Sequence, residues 1–365
     1  MRISKFILTA TILSLMPYIS NAKENAPELH YYNLSELPKL GTLAQDASAP
    51  YTRLPDSLKN VAREAVWNLG QNSAGIAIRF RSDASNINAR WTSSNTSYMN
   101  HMAATGSRGL DLYVLGEDSV WTTLGSARPN TRSTRTDAEI MRDMEPKMRE
   151  YMLYLSLYNG VDSLEIGIDK KAQLLPPTVN LPRRERPIVM YGTSILQGGC
   201  ASRPGMAHTN IIMRDLQHEV INLGFSGNAL LDPEIARLMA QADASLFVLD
   251  PLPNCSAELV AQKMEKFIGI IRSAHPETPI LLVESPIFPS TRFNTKNKKV
   301  VEAKNRTLKS IYTRLKETDR HLHYFEAANV LGGNDEATVD NTHFTDLGFS
   351  IYAHAIEPVI RLLSE

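Results

Sequence analysis

The chain has 365 residues, 43% of them hydrophobic, so it is long enough to bury two separate cores. Its 39 basic and 39 acidic side chains cancel, which leaves no electrostatic case for binding nucleic acid or an anionic membrane surface. These numbers favour a two-domain protein that acts on a neutral or small molecule.

The N-terminal end has the features of a secretory signal peptide. A cationic start at Arg2 precedes an apolar run from Phe6 to Ile19, and the small residues Ser20 and Ala22 fit the −3 and −1 positions of a cleavage site. The run is shorter than the roughly 20 apolar residues of a spanning helix. We therefore predict a signal peptide at 1–22, a secreted or periplasmic protein and no integral membrane segment after cleavage. A retained anchor or a buried N-terminal helix is the alternative.

Residues 23–178 are predicted to form an antiparallel β-sandwich of jelly-roll type, with a short helix within 56–69. Short segments of alternating polarity, separated by clusters of Gly, Asn, Ser and Asp, are typical of such folds. The predicted strands cover 75–80, 86–91, 110–115 and 119–124, and a hairpin-like turn at 159–162 separates 150–158 from 163–168.

The pattern changes after residues 179–187, which are predicted to be a proline-rich linker. In the second domain, 188–365, short apolar runs alternate with amphipathic segments of helical length, which predicts a parallel sheet with helices on both faces. The predicted strands are 188–191, 219–223, 244–249, 280–283 and 323–325, and the predicted helices include 258–274, 300–317 and 345–363. Reactive groups in such folds collect beyond the carboxyl ends of the strands.

A serine directly follows the first predicted strand of the second domain. In the segment Gly192-Thr193-Ser194-Ile195 a tight turn would expose the hydroxyl and aim backbone N–H groups at the same space, as acyl transfer requires. A serine beside a glycine is also ordinary in turns. Ser194 is therefore a candidate nucleophile.

Asp340 and His343 are close enough in sequence for one turn to supply both. In a nucleophilic triad an aspartate orients the imidazole, and the histidine takes the proton of a distant serine. Metal ligation is the alternative, but the sequence contains no H-E-x-x-H, C-x-x-C or clustered histidine set. Asp340 and His343 are therefore candidates for an acid–base pair rather than metal ligands, and we assign no role to His101.

Four segments, in this order, resemble the blocks of the SGNH, or GDSL-like, hydrolase family. The turn around Ser194 is similar to the G-D-S-L block, with Thr193 in place of the aspartate, and residues 340–349 resemble the closing D-x-x-H block. The resemblance implies a flavodoxin-like hydrolase domain and a catalytic triad of Ser194, His343 and Asp340 that needs no metal or cofactor. It also implies an oxyanion hole made by Ser194, by Gly224 in the segment 222–227, and by Asn254, where 250–254 loosely matches the G-x-N-D block. Turn formation is the other interpretation of Gly224 and Asn254.

The first domain shows a second resemblance. The segment Gly109–Tyr113 resembles the G-x-D-L-Y signature of an N-terminal sandwich domain that accompanies one subgroup of these hydrolases, known mainly from exported bacterial proteins. We expect Asp111 and Tyr113 to be outward-facing strand positions rather than substrate contacts.

The chain has two cysteines, Cys200 near the serine and Cys255 directly after Asn254. If the two loops converge on one site, a disulfide could tie them together in an oxidising compartment. Two free buried thiols are the alternative.

The resemblance implies a serine esterase that works through an acyl-enzyme and favours a short acyl group. By analogy, export and the added sandwich domain favour an O-acetylated carbohydrate as substrate. The alternatives are a lipid-directed esterase of the lipase or platelet-activating-factor acetylhydrolase kind and a non-catalytic glycan-binding protein. The sequence leaves the oligomeric state open.

Overall fold

The computed structural model describes residues 27–44, 47–333 and 335–365. The predicted signal peptide, 1–22, lies outside these residues. Within them, no helix combines the length and the apolar character needed to cross a membrane.

The N-terminal half forms two antiparallel sheets that enclose a common apolar core. In chain order its strands are β1 (Leu29–Asn33), β2 (Lys39–Leu40), β3 (Ala77–Ser82), β4 (Ile87–Ser93), β5 (Leu110–Leu115), β6 (Trp121–Ala127), β7 (Arg135–Met141), β8 (Arg149–Tyr154), β9 (Val161–Asp169) and β10 (Leu174–Leu175). One sheet has the order β1-β9-β4-β7 and the other β10-β3-β8-β5-β6, with β2 paired to β3. Two short helices, α1 (Glu64–Gly70) and α2 (Ala104–Ser107), lie in the connections.

Strand β4 shows why this sequence makes a sandwich. Ile87, Ala89 and Trp91 are fully buried, while the residues between them are only half-buried. Because side chains alternate across a strand, one face enters the core between the sheets. The predicted antiparallel sandwich is confirmed.

The predicted hairpin between 150–158 and 163–168 is wrong. Strand β8 pairs with β3 and β5, whereas β9 pairs with β1 and β4 in the other sheet. The intervening turn therefore crosses between sheets, and its buried Asn159 accepts a hydrogen bond from the Ser73 N–H at 3.1 Å and donates through Nδ2 to the Asn95 carbonyl at 3.2 Å. Alternating polarity shows which face of a strand is buried, but not which sheet the strand joins.

The C-terminal half is a five-stranded parallel sheet with helices on both faces, as predicted. Its strands are β11 (Arg183–Gly192), β12 (His218–Gly224), β13 (Leu246–Asp250), β14 (Ile280–Val283) and β15 (Leu322–Phe325), in the order β12-β11-β13-β14-β15. Its helices are α3 (Ser194–Gln197), α4 (His208–Leu216), α5 (Pro233–Met239), α6 (Ala257–Ala274), α7 (Thr295–Lys316) and α8 (Asp346–Ser364). This order is the flavodoxin-like one.

Strand β11 begins earlier than the predicted start at 188, because the second half of the predicted linker belongs to it. The Arg183 N–H donates to the Gln217 carbonyl at 2.9 Å, and Arg183 pairs with His218 of β12. The register shifts between Arg183 and Ile188, and this irregularity accommodates Pro187, which has no N–H to give to a ladder.

The sandwich packs directly on the C-terminal half. Met152 and Tyr154 of β8 belong to the same buried cluster as Ile212 and Met213 of α4 and Tyr352 of α8. Helices α5, α6 and α7 cover the opposite face of the parallel sheet. The two halves therefore share a continuous apolar core, which holds the sandwich against the face that α4 and α8 cover.

Candidate active site

The turn that carries Ser194 follows β11, an inner strand of the parallel sheet. Strand β11 ends at Gly192, which lies beside Gly224 of β12 and Asp250 of β13. Ser194 starts α3, and the Thr193 hydroxyl accepts a hydrogen bond from the Ile195 N–H at 3.2 Å. Threonine thus caps this short helix as an aspartate would, so its presence in the G-D-S-L position preserves the turn.

The structure brings Ser194, His343 and Asp340 together. Oγ of Ser194 lies 2.9 Å from Nε2 of His343, and Nδ1 of the same ring lies 2.8 Å from Oδ2 of Asp340. Oδ1 of Asp340 also accepts the His343 N–H at 2.8 Å. This is the hydrogen-bond order of a nucleophile, its base and the group that orients the base.

The carboxylate of Asp340 determines which ring nitrogen of His343 carries the proton. Burial raises the pKa of Asp340, but hydrogen bonds from the His343 side chain and backbone outweigh it, and the net pKa lies below its ordinary value. Asp340 is therefore ionised at neutral pH. Its charge favours the tautomer with the proton on Nδ1 of His343, which leaves Nε2 to accept the Ser194 proton.

The assignment of Gly224 to the oxyanion hole does not fit the structure. Its N–H donates to Oδ1 of Asn222 at 2.9 Å. A Cβ at position 224 would lie 2.3 Å from the Gln197 nitrogen, so this glycine is required for the close approach of β12 to α3. Gly224 therefore has a packing role at the end of the strand.

Gly227 is the better candidate in the same loop. The N–H groups of Phe225, Ser226 and Asn228 donate to protein acceptors at 2.8–3.0 Å, whereas in the described structure no such acceptor receives the N–H of Gly227. Gly227 has φ +68°, and a Cβ there would meet no atom of the described residues within 4 Å. The sequence signal is the Ser-Gly pair at the end of 222–227, which turn analysis could have weighed against Gly224.

Asn254 lies in the 3-10 helix Leu252–Asn254, beyond the carboxyl end of β13. Its Oδ1 accepts the Ala229 N–H at 3.3 Å, and its Nδ2 donates to no acceptor among the described residues. Lys304 of α7 donates through Nζ to the Leu252 carbonyl at 2.8 Å and thus holds this turn. Asn254 therefore retains a donor that a substrate oxygen could use, and Lys304 is a positioning residue that the sequence did not reveal.

The possible disulfide between Cys200 and Cys255 is not formed, since both cysteines are free and buried. The thiol of Cys255 donates to the Ala229 carbonyl at 3.4 Å and packs in the cluster under α6. Cys200 lies instead beside His101 and His343, with one possible ligand atom of each residue within 4.8 Å of the others. The loops converge as expected, but their thiols have different neighbours.

Side chains of the sandwich domain donate hydrogen bonds to backbone carbonyls of the site. The Tyr158 hydroxyl donates to the Ser194 carbonyl at 3.2 Å. Arg53 is fully buried and donates to the carbonyls of Asn222 at 3.2 Å and Gly224 at 2.7 Å, at the end of β12. Burial lowers the pKa of Arg53 to about 9. Because carbonyl oxygens surround this guanidinium, it ties the first domain to the strand that leads into the site.

The G-x-D-L-Y motif proves to be an anchor rather than an outward-facing surface. Asp111 and Tyr113 are 0% and 3% exposed. Oδ2 of Asp111 accepts hydrogen bonds from Arg203 at 2.6 Å and from the Gly205 N–H at 2.8 Å, and the Tyr113 hydroxyl accepts from Arg203 at 2.6 Å. The motif therefore holds the loop that follows the nucleophile helix. The expectation of outward positions is wrong because α4 and this loop cover the strand.

Each half of the chain matches the sequence profile of a known family. A sequence profile of the GDSL-like lipase/acylhydrolase family matches residues 185–361, and a profile for the GxDLY N-terminus of SGNH-hydrolase-type esterases matches 29–174. No curated protein matches the chain significantly.

Several solved structures share the whole fold. A GDSL-like lipase from Bacteroides ovatus is 31% identical with a TM-score of 0.86, over 92% of this chain and 98% of that one. A salicylyl-acyltransferase from a tetracycline biosynthetic pathway is 19% identical with a TM-score of 0.73, over 92% and 97%. A family two carbohydrate esterase from Cellvibrio japonicus is 14% identical with a TM-score of 0.60, over 93% and 99%.

The acyltransferase and the carbohydrate esterase are similar to this chain in fold alone. The Bacteroides ovatus structure combines 31% identity with nearly complete coverage of both chains. Together with the two matched segments, it identifies this chain as an ester-hydrolysing enzyme of the GDSL-like lipase/acylhydrolase family, with the GxDLY-type N-terminal domain.

Proposed function

We propose that this chain is an exported esterase that removes short acyl groups, acetyl above all, from carbohydrate through a Ser-His-Asp triad. The observation that carries the reaction is the pair of distances at His343, 2.9 Å to Ser194 Oγ and 2.8 Å to Asp340 Oδ2. The predicted signal peptide at 1–22 supports export.

The reaction has two halves. His343 takes the Ser194 proton as Oγ attacks the acyl carbonyl, and the collapse of the tetrahedral intermediate releases the alcohol, to which His343 returns that proton. Water, deprotonated by His343, then attacks the acyl-serine, and His343 returns this proton to Ser194 Oγ as its bond to the acyl carbon breaks and the acid leaves. The Ser194 N–H, the Gly227 N–H and Nδ2 of Asn254 are the donors we assign to the negative oxygen, in place of the set that included Gly224.

A surface groove whose lining includes the residue after Asp340 supports a carbohydrate as the alcohol part. It has a volume of about 710 Å³ and runs from Asn341, next to Asp340, to Phe293. Phe293 is 86% exposed, and a solvent-facing aromatic ring offers a flat apolar face to a sugar ring. The family two carbohydrate esterase with the same fold provides a precedent for sugar esters on this scaffold.

Acetate release tests the proposal. We expect the purified protein to release acetate from acetylated xylan or pectin fragments faster than fatty acid from long-chain esters. Ser194→Ala should lower the rate by on the order of 10³ to 10⁶. Ser163→Ala, which changes an exposed serine of the sandwich, is the matched control.

Two outcomes would contradict the proposal. Preference for long-chain esters would favour a lipid-directed esterase with the same triad. Failure of a fluorophosphonate probe to label the wild-type protein at Ser194 would favour a glycan-binding protein on a hydrolase scaffold.

A further inference from the structure

One cluster of metal-ligating side chains lies at the edge of the site and has no part in the proposed reaction cycle except through His343. It consists of His101, Cys200 and His343, whose possible ligand atoms all lie within 4.8 Å of one another. The rings of His101 and His343 are 5.6 Å apart between centroids and tilted by 51°. Three separate chain segments supply these residues, so their sequence spacing does not reveal the cluster.

The donor set suits a soft divalent cation. Zinc takes thiolate and imidazole ligands at about 2.3 and 2.0–2.1 Å, so a tetrahedral ion needs its ligand atoms about 3.4 to 3.7 Å apart. The most widely separated ligand atoms must therefore come closer by up to about 1.4 Å. His101 and His343 are half-buried, so an ion can reach the three side chains from solvent. A water molecule can then supply the fourth ligand of the ion.

Two of the ligands are held in place. Cys200 has φ +73°, and the residues after it are anchored by the Ser202 N–H, which donates to Asp346 at 2.9 Å, and by the Arg203–Asp111 pair. Asp340 accepts from Nδ1 of His343, the arrangement in which a carboxylate orients a metal-bound histidine through its other nitrogen. The remaining nitrogen, Nε2, is then the metal ligand.

The third ligand, His101, comes from the sandwich domain and is not held by a helix or a strand. Nδ1 of His101 lies 3.1 Å from the side-chain oxygen of Asn100, which leaves Nε2 of His101 as its ligand atom. His101 lies in the connection between β4 and α2, outside any strand or helix. A small movement of this connection could bring the ring to bonding distance.

We propose that His101, Cys200 and His343 form an inhibitory binding site for zinc or a similarly soft divalent cation. Cys200 loses its proton to solvent on binding, and its thiolate and the two imidazoles donate electron pairs to the ion. The ion occupies Nε2 of His343, so this nitrogen can no longer accept the Ser194 proton. Binding itself does not depend on the esterase reaction, whereas the inhibition rests on the proposed function.

The first experiment measures binding without turnover. Ser194→Ala protein, treated with a chelator and dialysed, is titrated with zinc chloride by calorimetry, and we expect one site. Adding Cys200→Ser or His101→Asn should weaken binding at least about tenfold. Cys255→Ala and His354→Asn, which change the other cysteine and an exposed histidine of α8, should leave it unchanged.

The second experiment measures inhibition in proteins that retain Ser194. Zinc should abolish acetate release by the wild type and by the control variants, and a chelator should restore it. In Cys200→Ser and His101→Asn, basal activity should be retained and the half-inhibiting zinc concentration should rise at least about tenfold. Thermal unfolding checks that each variant is folded, and His101→Asn serves if Cys200→Ser is not.

The outcomes separate the two proposals. Absent zinc binding, or binding that is unchanged in both ligand variants, would overturn the metal site. Zinc binding at this site without any effect on an active enzyme would overturn its inhibitory role. If zinc binds as expected but no ester is hydrolysed, the metal site stands and the proposed function fails.

Discussion

Nη1 of Arg203 lies 2.6 Å from Oδ2 of Asp111, and this ion pair joins the loop behind the nucleophile helix to a strand of the other domain. The Asp111 side chain is fully buried, whereas that of Arg203 is 25% exposed. A buried carboxylate that loses its cation is costly, although the Gly205 N–H and the Ser126 hydroxyl still donate to Asp111.

We predict that Arg203→Leu lowers the free energy of unfolding by about 3 kcal/mol, because it leaves the charge of Asp111 uncompensated. Urea unfolding measures the change. Arg142→Leu, which breaks an exposed pair with Glu139, is the control and should change stability by less than about 1 kcal/mol. Equal effects of the two changes would contradict the anchoring role of the motif.

Asp340→Asn should lower kcat by about 10³ to 10⁴ with little change in KM. An amide carries no charge to favour the proton on Nδ1 of His343, so Nε2 becomes a poorer base. Steady-state kinetics on an acetyl ester checks this, with Asp137→Asn in the sandwich as the control. A loss below about tenfold would show that the carboxylate does not orient His343.

Gly227→Ala should mainly lower kcat, whereas Gly224→Ala should mainly lower stability. At position 227 a methyl group clashes with no described atom, so the protein should fold with a loss of about 1 to 2 kcal/mol from positive φ. We expect kcat to fall because relief of this backbone strain turns the N–H away from the negative oxygen. At position 224 the methyl group would lie 2.3 Å from the Gln197 nitrogen, so the main effect should be a large loss of stability. Thermal unfolding and kinetics distinguish the two, and normal kcat in folded Gly227→Ala would count against its place in the oxyanion hole.

Phe293→Ala should raise KM for acetylated polysaccharide several-fold and leave kcat/KM for a small aryl acetate nearly unchanged. The reason is that the exposed ring lines a groove that none of the three triad residues lines, so a small ester held at Ser194 should not need it. Val300→Ala, which removes another exposed apolar side chain, is the control. Equal effects on both substrates would remove Phe293 from the sugar-binding groove.

Glu219 makes stability depend on pH. Burial raises its pKa from 4.5 to about 7, although the Gly41 N–H donates to the carboxylate at 2.7 Å. A carboxyl whose folded pKa is raised contributes stability below about pH 4.5, and that contribution is lost as pH rises to about 7. Glu219→Gln should therefore increase the free energy of unfolding by on the order of 2 to 3 kcal/mol at pH 8 and by less at pH 5. Urea unfolding of both proteins at the two pH values measures this, and an equal change at both would refute a titrating Glu219.

Local pattern predicted much of the fold. The alternation around β4, the helical spacing of α6 and α8, and the change of period after residue 187 were visible in the sequence, because side chains repeat every 2 residues in strands and every 3.6 in helices. The pairing of β8 and β9 with different sheets was not visible, since each strand satisfies the same alternation in either sheet.

The sequence by itself determined the residues that sit on one turn: Ser194 after a strand, and Asp340 three positions before His343. Only the tertiary structure decided that, among the described residues, the Gly227 N–H rather than the Gly224 N–H is left without an acceptor. It also decided that Asp111 is buried under Arg203 and that Cys200 meets His101 rather than Cys255. Short-range spacing defines a turn because the backbone links its residues directly. Contacts between residues about 100 positions apart depend instead on how whole sheets and helices pack, and no local pattern records that.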